Sequence, residues 1–134
     1  TKKMAEIQSS STGLSGEYFV AAELLRRGFT VGITMGNAKG IDILAEKDGK
    51  QFIVQVKAIY KQKNVGWPIM QEKVKLDCFY VFVNLKGDVM AEPEYFICTG
   101  EEAQPLVKQY SSRGIMNRTT LNNAQFKGRW DKII

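Results

Sequence analysis

Gly40-Ile41-Asp42-Ile43-Leu44-Ala45 and Phe52-Ile53-Val54-Gln55-Val56-Lys57 are two short apolar runs joined by the turn signal Lys47-Asp48-Gly49-Lys50. Asp-Gly between such runs is a strong signal for a two-residue hairpin, and it fixes the pairing. Lys47 then flanks Lys50, antiparallel partners keep a constant sum, and Asp42 falls opposite Gln55. Lys57 lies two residues further along its strand, on the same face. A carboxylate, an amide and an ammonium inside two greasy strands are costly unless they are paired or put to use. That cost marks Asp42, Gln55 and Lys57 as a candidate active site. The other face of the hairpin sets Ile41, Ile43 and Ala45 against Val56, Val54 and Phe52. With Leu44 and Ile53 on the first face, both faces are largely apolar, as in central strands covered on each side.

Upstream, the signals predict a helix over residues 15–28, with Ser15 as N-cap, Leu14 stapled onto Phe19, and Gly28 as the stop. Val20, Ala21 and Leu24 share its core-directed face, and Glu17 joins them at helical spacing. Residues 1–13 read as a loose lead-in. Phe29 to Met35 reads as a first strand, and residues 36–40 as a turn or loop carrying Lys39.

Downstream, residues 60–76 are basic and irregular, with Lys61, Lys63, Lys73 and Lys75 around Gly66-Trp67-Pro68, and read as a loop and short helix lying along a ligand. Phe79 to Leu85 is a strong apolar strand, Lys86-Gly87-Asp88 turns the chain, and Glu94 to Cys98 gives a further strand. Ala103, Leu106, Val107 and Tyr110 recur at helical spacing within a predicted helix over 101–110. Residues 111–134 form a polar, basic tail that Phe126, Trp130, Ile133 and Ile134 can pin to the body. No internal repeat or linker interrupts the 134 residues, which read as a single domain.

Composition narrows the chemistry. Hydrophobic residues make up 44%, enough for one real core. Lys and Arg outnumber Asp and Glu by 19 to 14, a net charge of +5 that favours a polyanionic partner. The chain has no histidine, which excludes serine triads, Cys-His dyads and the zinc motifs that need one. Cys78 and Cys98 sit inside strand-like runs without CxxC spacing, and read as buried reduced thiols suited to a cytoplasmic setting. No apolar run approaches the ~20 residues of a membrane span, and the polar first dozen residues are not a signal peptide. The segment from Asp88 to Glu102 carries five acids and no Lys or Arg, which makes it a poor surface for nucleic acid.

The order helix, strand, hairpin with Asp…Gln-x-Lys, helix, strand resembles the PD-(D/E)XK nuclease superfamily over roughly residues 14–85. The stretch Gly40-Ile41-Asp42 to Gln55-Val56-Lys57 is especially similar to Mrr-type members, which carry Gln where most relatives have Glu. The resemblance implies an α/β, restriction-endonuclease-like three-layer core: a mixed central sheet flanked by helices in the order αβββαβ. It implies a metal-dependent nuclease hydrolysing phosphodiester bonds, most commonly in DNA, of restriction, repair or recombination type. Asp42, Gln55, the Val56 carbonyl and Glu17 would hold Mg2+ or Mn2+, and Lys57 would orient or activate the attacking water. Dimers are common among such nucleases. Lys39, Lys61, Lys63 and Trp67 would contact the nucleic acid.

Each of these residues has a second reading. Asp42 and Lys57 make an ion pair with Gln55 filling the hydrogen bonds between them, Glu17 favours the N-terminal end of its helix, and Trp67 before a proline is a packing anchor. Gln71 could support the site from the next helix. Two further functions fit the same fold: a nucleic-acid-binding module whose catalysis has decayed, for which Gln55 is the pointer, and a protein-interaction subunit using the acidic 88–102 region and the aromatic tail.

Overall fold

The computed structural model describes residues 7–34 and 42–134. Helix α1, Ser9–Arg26, begins well before the predicted start, so residues 9–13 are helical rather than a loose lead-in. Its N-cap is Gln8, whose side chain makes no capping bond, and Ser15 lies inside the helix. Ser and Thr are indifferent helix formers, but once the downstream turns are packed each added residue gains a bond for little further ordering. Leu14 and Phe19 are exposed rather than stapled together. The stop is as expected: Gly28 takes φ +94°, and the N–H groups of Arg27, Gly28 and Phe29 return to the carbonyls of Leu24 and Leu25.

A five-stranded mixed sheet forms the centre. Strands β1 (Thr30–Ile33), β2 (Ile43–Lys47) and β3 (Lys50–Ile59) run as an antiparallel meander. The turn between β2 and β3 has Asp48 at φ 53° and Gly49 at φ 77°, both positive, as a type I′ turn demands. The chain then crosses to the far side, where β4 (Gly66–Pro68) belongs to a second sheet, and returns as β5 (Phe79–Asn84), parallel to β3. Strand β6 (Glu94–Thr99) closes the order β1-β2-β3-β5-β6. In place of the helix expected in this crossover stands a single 3-10 turn, Gln71–Lys73, because Gly66–Pro68 pairs with a later strand instead of coiling.

Helix α2, Gly100–Leu106, opens on a complete capping box between Thr99 and Glu102 and is shorter than predicted. Val107 leaves the helix extended and β7 (Lys108–Gln109) follows, which puts Tyr110 on the surface rather than on a helix face. The tail is more than a strap. Its β8 (Gly114–Asn117) is the middle strand of the second sheet, β4-β8-β7, and helix α3 (Arg118–Leu121) follows. Phe126, Trp130 and Ile133 are buried as anticipated, whereas Ile134 is exposed.

Three layers result. Helix α1 buries Val20, Ala21 and Leu24 against Ile43, Ala45, Val54 and Val56 on one face of the central sheet. Contact is close: a Cβ on Gly16 would stand 2.5 Å from the Cβ of Ala58. On the other face, Tyr80, Phe82, Phe96 and Cys98 pack under the second sheet and α2, with Trp67 among them. Both cysteines are free and buried, and burial pushes the Cys98 thiol up to about 12, so it stays protonated. Among the described residues no helix is long and apolar enough to cross a membrane.

Candidate active site

The hairpin register follows the constant sum read from the sequence: Lys47 pairs with Lys50, and the ladder continues without slip to Ile43 opposite Val54. One step further, Asp42 has left the strand and sits in a bend. Its carbonyl accepts the Thr34 N–H at 3.1 Å, which ties it to the end of β1. Its carboxylate turns into the edge of β3 and accepts the Val56 N–H at 2.8 Å. A strand residue points its N–H and C=O to the same side, so the Val56 carbonyl is directed to this same edge, just past the ladder pair Ile43–Val54.

Gln55 and Lys57 alternate with Val56 and share the opposite face of β3, beside their parallel partners Tyr80 and Phe82. Gln55 is 7% exposed, and its amide Nε2 donates to the Cys78 sulfur at 3.9 Å, which turns the oxygen end away from that sulfur. Lys57 is half-buried. Glu17 approaches from the α1 side, on the turn of helix that Gly16 holds against β3. Burial pushes the Glu17 carboxyl above its ordinary range, and the negative charge of Asp42 adds to the shift. A divalent cation beside these like charges would relieve the repulsion.

The donor set suits such an ion. All four candidate ligands offer oxygen, which hard cations prefer, and magnesium keeps several waters rather than demanding a full protein cage. Among the described residues there is no cluster of three or more Asp, Glu, Cys or His. Neutral oxygens from Gln55 and Val56 would therefore have to complete what Asp42 and Glu17 begin.

The expected nucleic-acid contacts separate. Lys61 and Lys63 are exposed just beyond β3, and Lys39 lies outside the described residues. Trp67 is the packing anchor of its two readings, being 1% exposed with its indole N–H donating to the Val83 carbonyl at 2.9 Å and its ring against Phe82 and Phe96. It offers no face for a base. Gln71 donates to the Gln104 carbonyl and so supports the second layer rather than the site.

Two features escaped the sequence reading. Two of the acids of 88–102 are answered by cations of the tail: Arg118 and Lys127 meet Glu94, and Lys132 meets Glu102. Arg118, Lys86 and Arg113 also line a concave cleft with Lys61. The basic count of the tail hinted at both, but nothing local showed which acids it would meet.

No family model matches the chain, and no curated protein matches it. Among solved structures the fold is similar to that of Hjc, a Holliday junction resolvase from the archaeal hyperthermophile Archaeoglobus fulgidus. The likeness has a TM-score of 0.53 at 13% identity and covers 81% of this chain and 91% of that chain. It shows the restriction-endonuclease-like fold, a mixed central sheet with helices against it.

Proposed function

We propose that the protein is a metal-dependent nuclease that hydrolyses phosphodiester bonds in DNA. One observation carries the reading: the Asp42 carboxylate is docked on the Val56 N–H at the point where β2 leaves the edge of β3, next to Lys57. A carboxylate docked on a strand edge beside a lysine has the chemistry to hold a cation against a phosphate. The resolvase likeness, a protein that by its name acts on branched DNA, supports DNA of recombination type as substrate. Gln55 in the usual place of an acid is the trait shared with Mrr-type nucleases.

Asp42 and Glu17 would hold Mg2+ or Mn2+ with the Gln55 and Val56 oxygens. When bound, the ion supplies Lewis-acid polarisation of the phosphate and offsets charge building on the phosphorane. Asp42 is kept in place for this by the Val56 N–H, so its carboxylate need not be ordered when substrate arrives. Lys57 donates hydrogen bonds to the attacking water or to a non-bridging phosphate oxygen and stabilises the added negative charge there. Gln55 contributes an oxygen without charge, which weakens cation affinity relative to an acid at the same place. Dimers are common among nucleases that cut both strands of a duplex, and sedimentation of the DNA-bound protein reads the stoichiometry.

The test is cleavage of plasmid and branched DNA with magnesium or manganese, comparing the wild type with Asp42→Asn and Lys57→Ala. Each substitution is expected to abolish cleavage; metal-dependent cleavage surviving both removes the reading. The neutral Gln55 favours one alternative, a DNA-binding module without catalysis. Its signature is salt-sensitive binding that persists in chelator, with no cleavage under any metal.

A further inference from the structure

Beyond the end of β3 the molecule carries a cleft of about 980 Å³. Its walls come from the segment after β3, the turn after β5, and strand β8 with the start of α3. Lys61, Lys86, Arg113 and Arg118 line it, and Glu94 is the sole acid among the described lining residues. Glu94 is already satisfied: Arg118 grips it with two hydrogen bonds at 2.9 and 2.7 Å, Lys127 reaches it at 3.1 Å, and Asn84 donates to it at 3.0 Å. Lys61, Lys86 and Arg113 have no ion pair among the described residues. Three uncompensated cations therefore converge on one concavity, an arrangement that repels itself and gathers counter-ions.

We propose that this cleft binds the phosphates of a single nucleic-acid strand running on from the cleavage centre. The proposal takes its ligand class from the nuclease reading above. A concave wall that mixes cations with Val65 and Ile115 fits one strand better than the convex ridge of a duplex. Position agrees. Lys57 lies near the end of β3 and Lys61 just beyond it, with Cα atoms at most about 14 Å apart, within reach of one short stretch of strand. Arg113 is steadied over the Tyr110 ring, 5.7 Å from its centroid, which limits the freedom its guanidinium loses on meeting a phosphate. Phosphates entering the cleft would displace the counter-ions, and that release drives binding.

The experiment is fluorescence anisotropy with a labelled single-stranded oligonucleotide, in chelator and across a salt series. It compares the wild type, a Lys61→Ala/Lys86→Ala/Arg113→Ala variant, and a charge-keeping Lys61→Arg/Lys86→Arg/Arg113→Lys variant, with thermal melts confirming that all are folded. The neutral variant is expected to lose at least about tenfold in affinity at about 0.1 M salt, and its slope of log K against log salt to fall by about 2 units. The charge-keeping variant should stay near the wild type. Unchanged affinity and slope in the neutral variant, or no binding by the wild type, overturns the cleft. Magnesium-dependent cleavage by the same samples separates the two claims. A wild type that binds through the cleft yet never cleaves refutes the nuclease alone, and one that cleaves while the neutral variant binds normally refutes the cleft alone.

Discussion

The Asp42 carboxylate accepts the Val56 N–H at 2.8 Å, so the residue that would hold a cation also satisfies a peptide group at the end of the hairpin. The two roles can be pulled apart. Asp42→Asn keeps an acceptor for the Val56 N–H and is expected to hold stability within about 1 kcal/mol while losing cation binding. Asp42→Ala leaves that donor unpaired and should cost about 1–3 kcal/mol as well. Urea titrations with and without magnesium resolve the pair. Equal stability for the two variants would show that the hydrogen bond contributes nothing.

Gln55 is buried beside Cys78 in the middle of β3, the strand that carries Lys57. Gln55→Glu brings a negative charge into that buried environment. In chelator it is expected to lower stability by about 1–3 kcal/mol. Added magnesium should recover more stability in this variant than in the wild type, because a ligand that binds only the folded state stabilises it according to its affinity. Melting temperatures of both proteins across a magnesium series check this. A variant whose melting ignores magnesium would place Gln55 outside the cation site.

Glu94 sets an acid limit on the fold. Its hydrogen bonds from Arg118, aided by those from Asn84 and Lys127, hold its carboxyl down to about 2 from an ordinary 4.5. Between those values the unfolded chain binds the proton and the folded chain does not. The contribution is therefore present in full above about pH 4.5 and lost as pH falls towards 2. Glu94→Gln should flatten stability across that window and lower it near neutrality by about 1–3 kcal/mol. Glu17 carries the opposite sign: its raised carboxyl pKa means that ionising it weakens the fold as pH rises past the ordinary value. Chemical denaturation from pH 2 to 7 on the wild type and both Gln variants separates these slopes.

Trp67 lies at the join of the two sheets, its indole N–H on the Val83 carbonyl. Trp67→Ala is expected to cost about 3–5 kcal/mol, and Trp67→Phe less, since a ring still meets Phe82 and Phe96. The folded fraction of Trp67→Phe should bind oligonucleotide as the wild type does. A selective loss of binding at unchanged stability would return Trp67 to a contact role.

How far the sequence carries can be seen residue by residue. The hairpin was legible because Asp48-Gly49 is a local signal that fixes register without help from the rest of the chain. Gly28 was legible for the same reason. The start of α1 was not, since Ser9 to Gly13 are helical only because the turns after them are packed. Residues 60–76 misled because their partner is β8, nearly fifty positions away in the chain, and no local pattern announces a strand that pairs at that range. Around the candidate site, the hairpin register was readable as far as Ile43 opposite Val54, the pair next to Asp42 and Gln55. The turn of the Asp42 side chain into the strand edge was not, because it depends on where β2 stops.

Strand β8 has a consequence in time. The hairpin carrying Asp42 to Lys57 closes through neighbours in sequence, an event of about 1–10 μs in isolated hairpins. The wall of the basic cleft forms only when β8 slots between β4 and β7, a non-local closure that carries a larger entropic cost and comes later. The two halves of the surface should thus mature in order, the hairpin first and the polyanion groove last. Pulse-labelled hydrogen exchange would see protection at Val54 before Met116, and a refolding intermediate would hold its hairpin while still unable to retain a nucleic-acid strand.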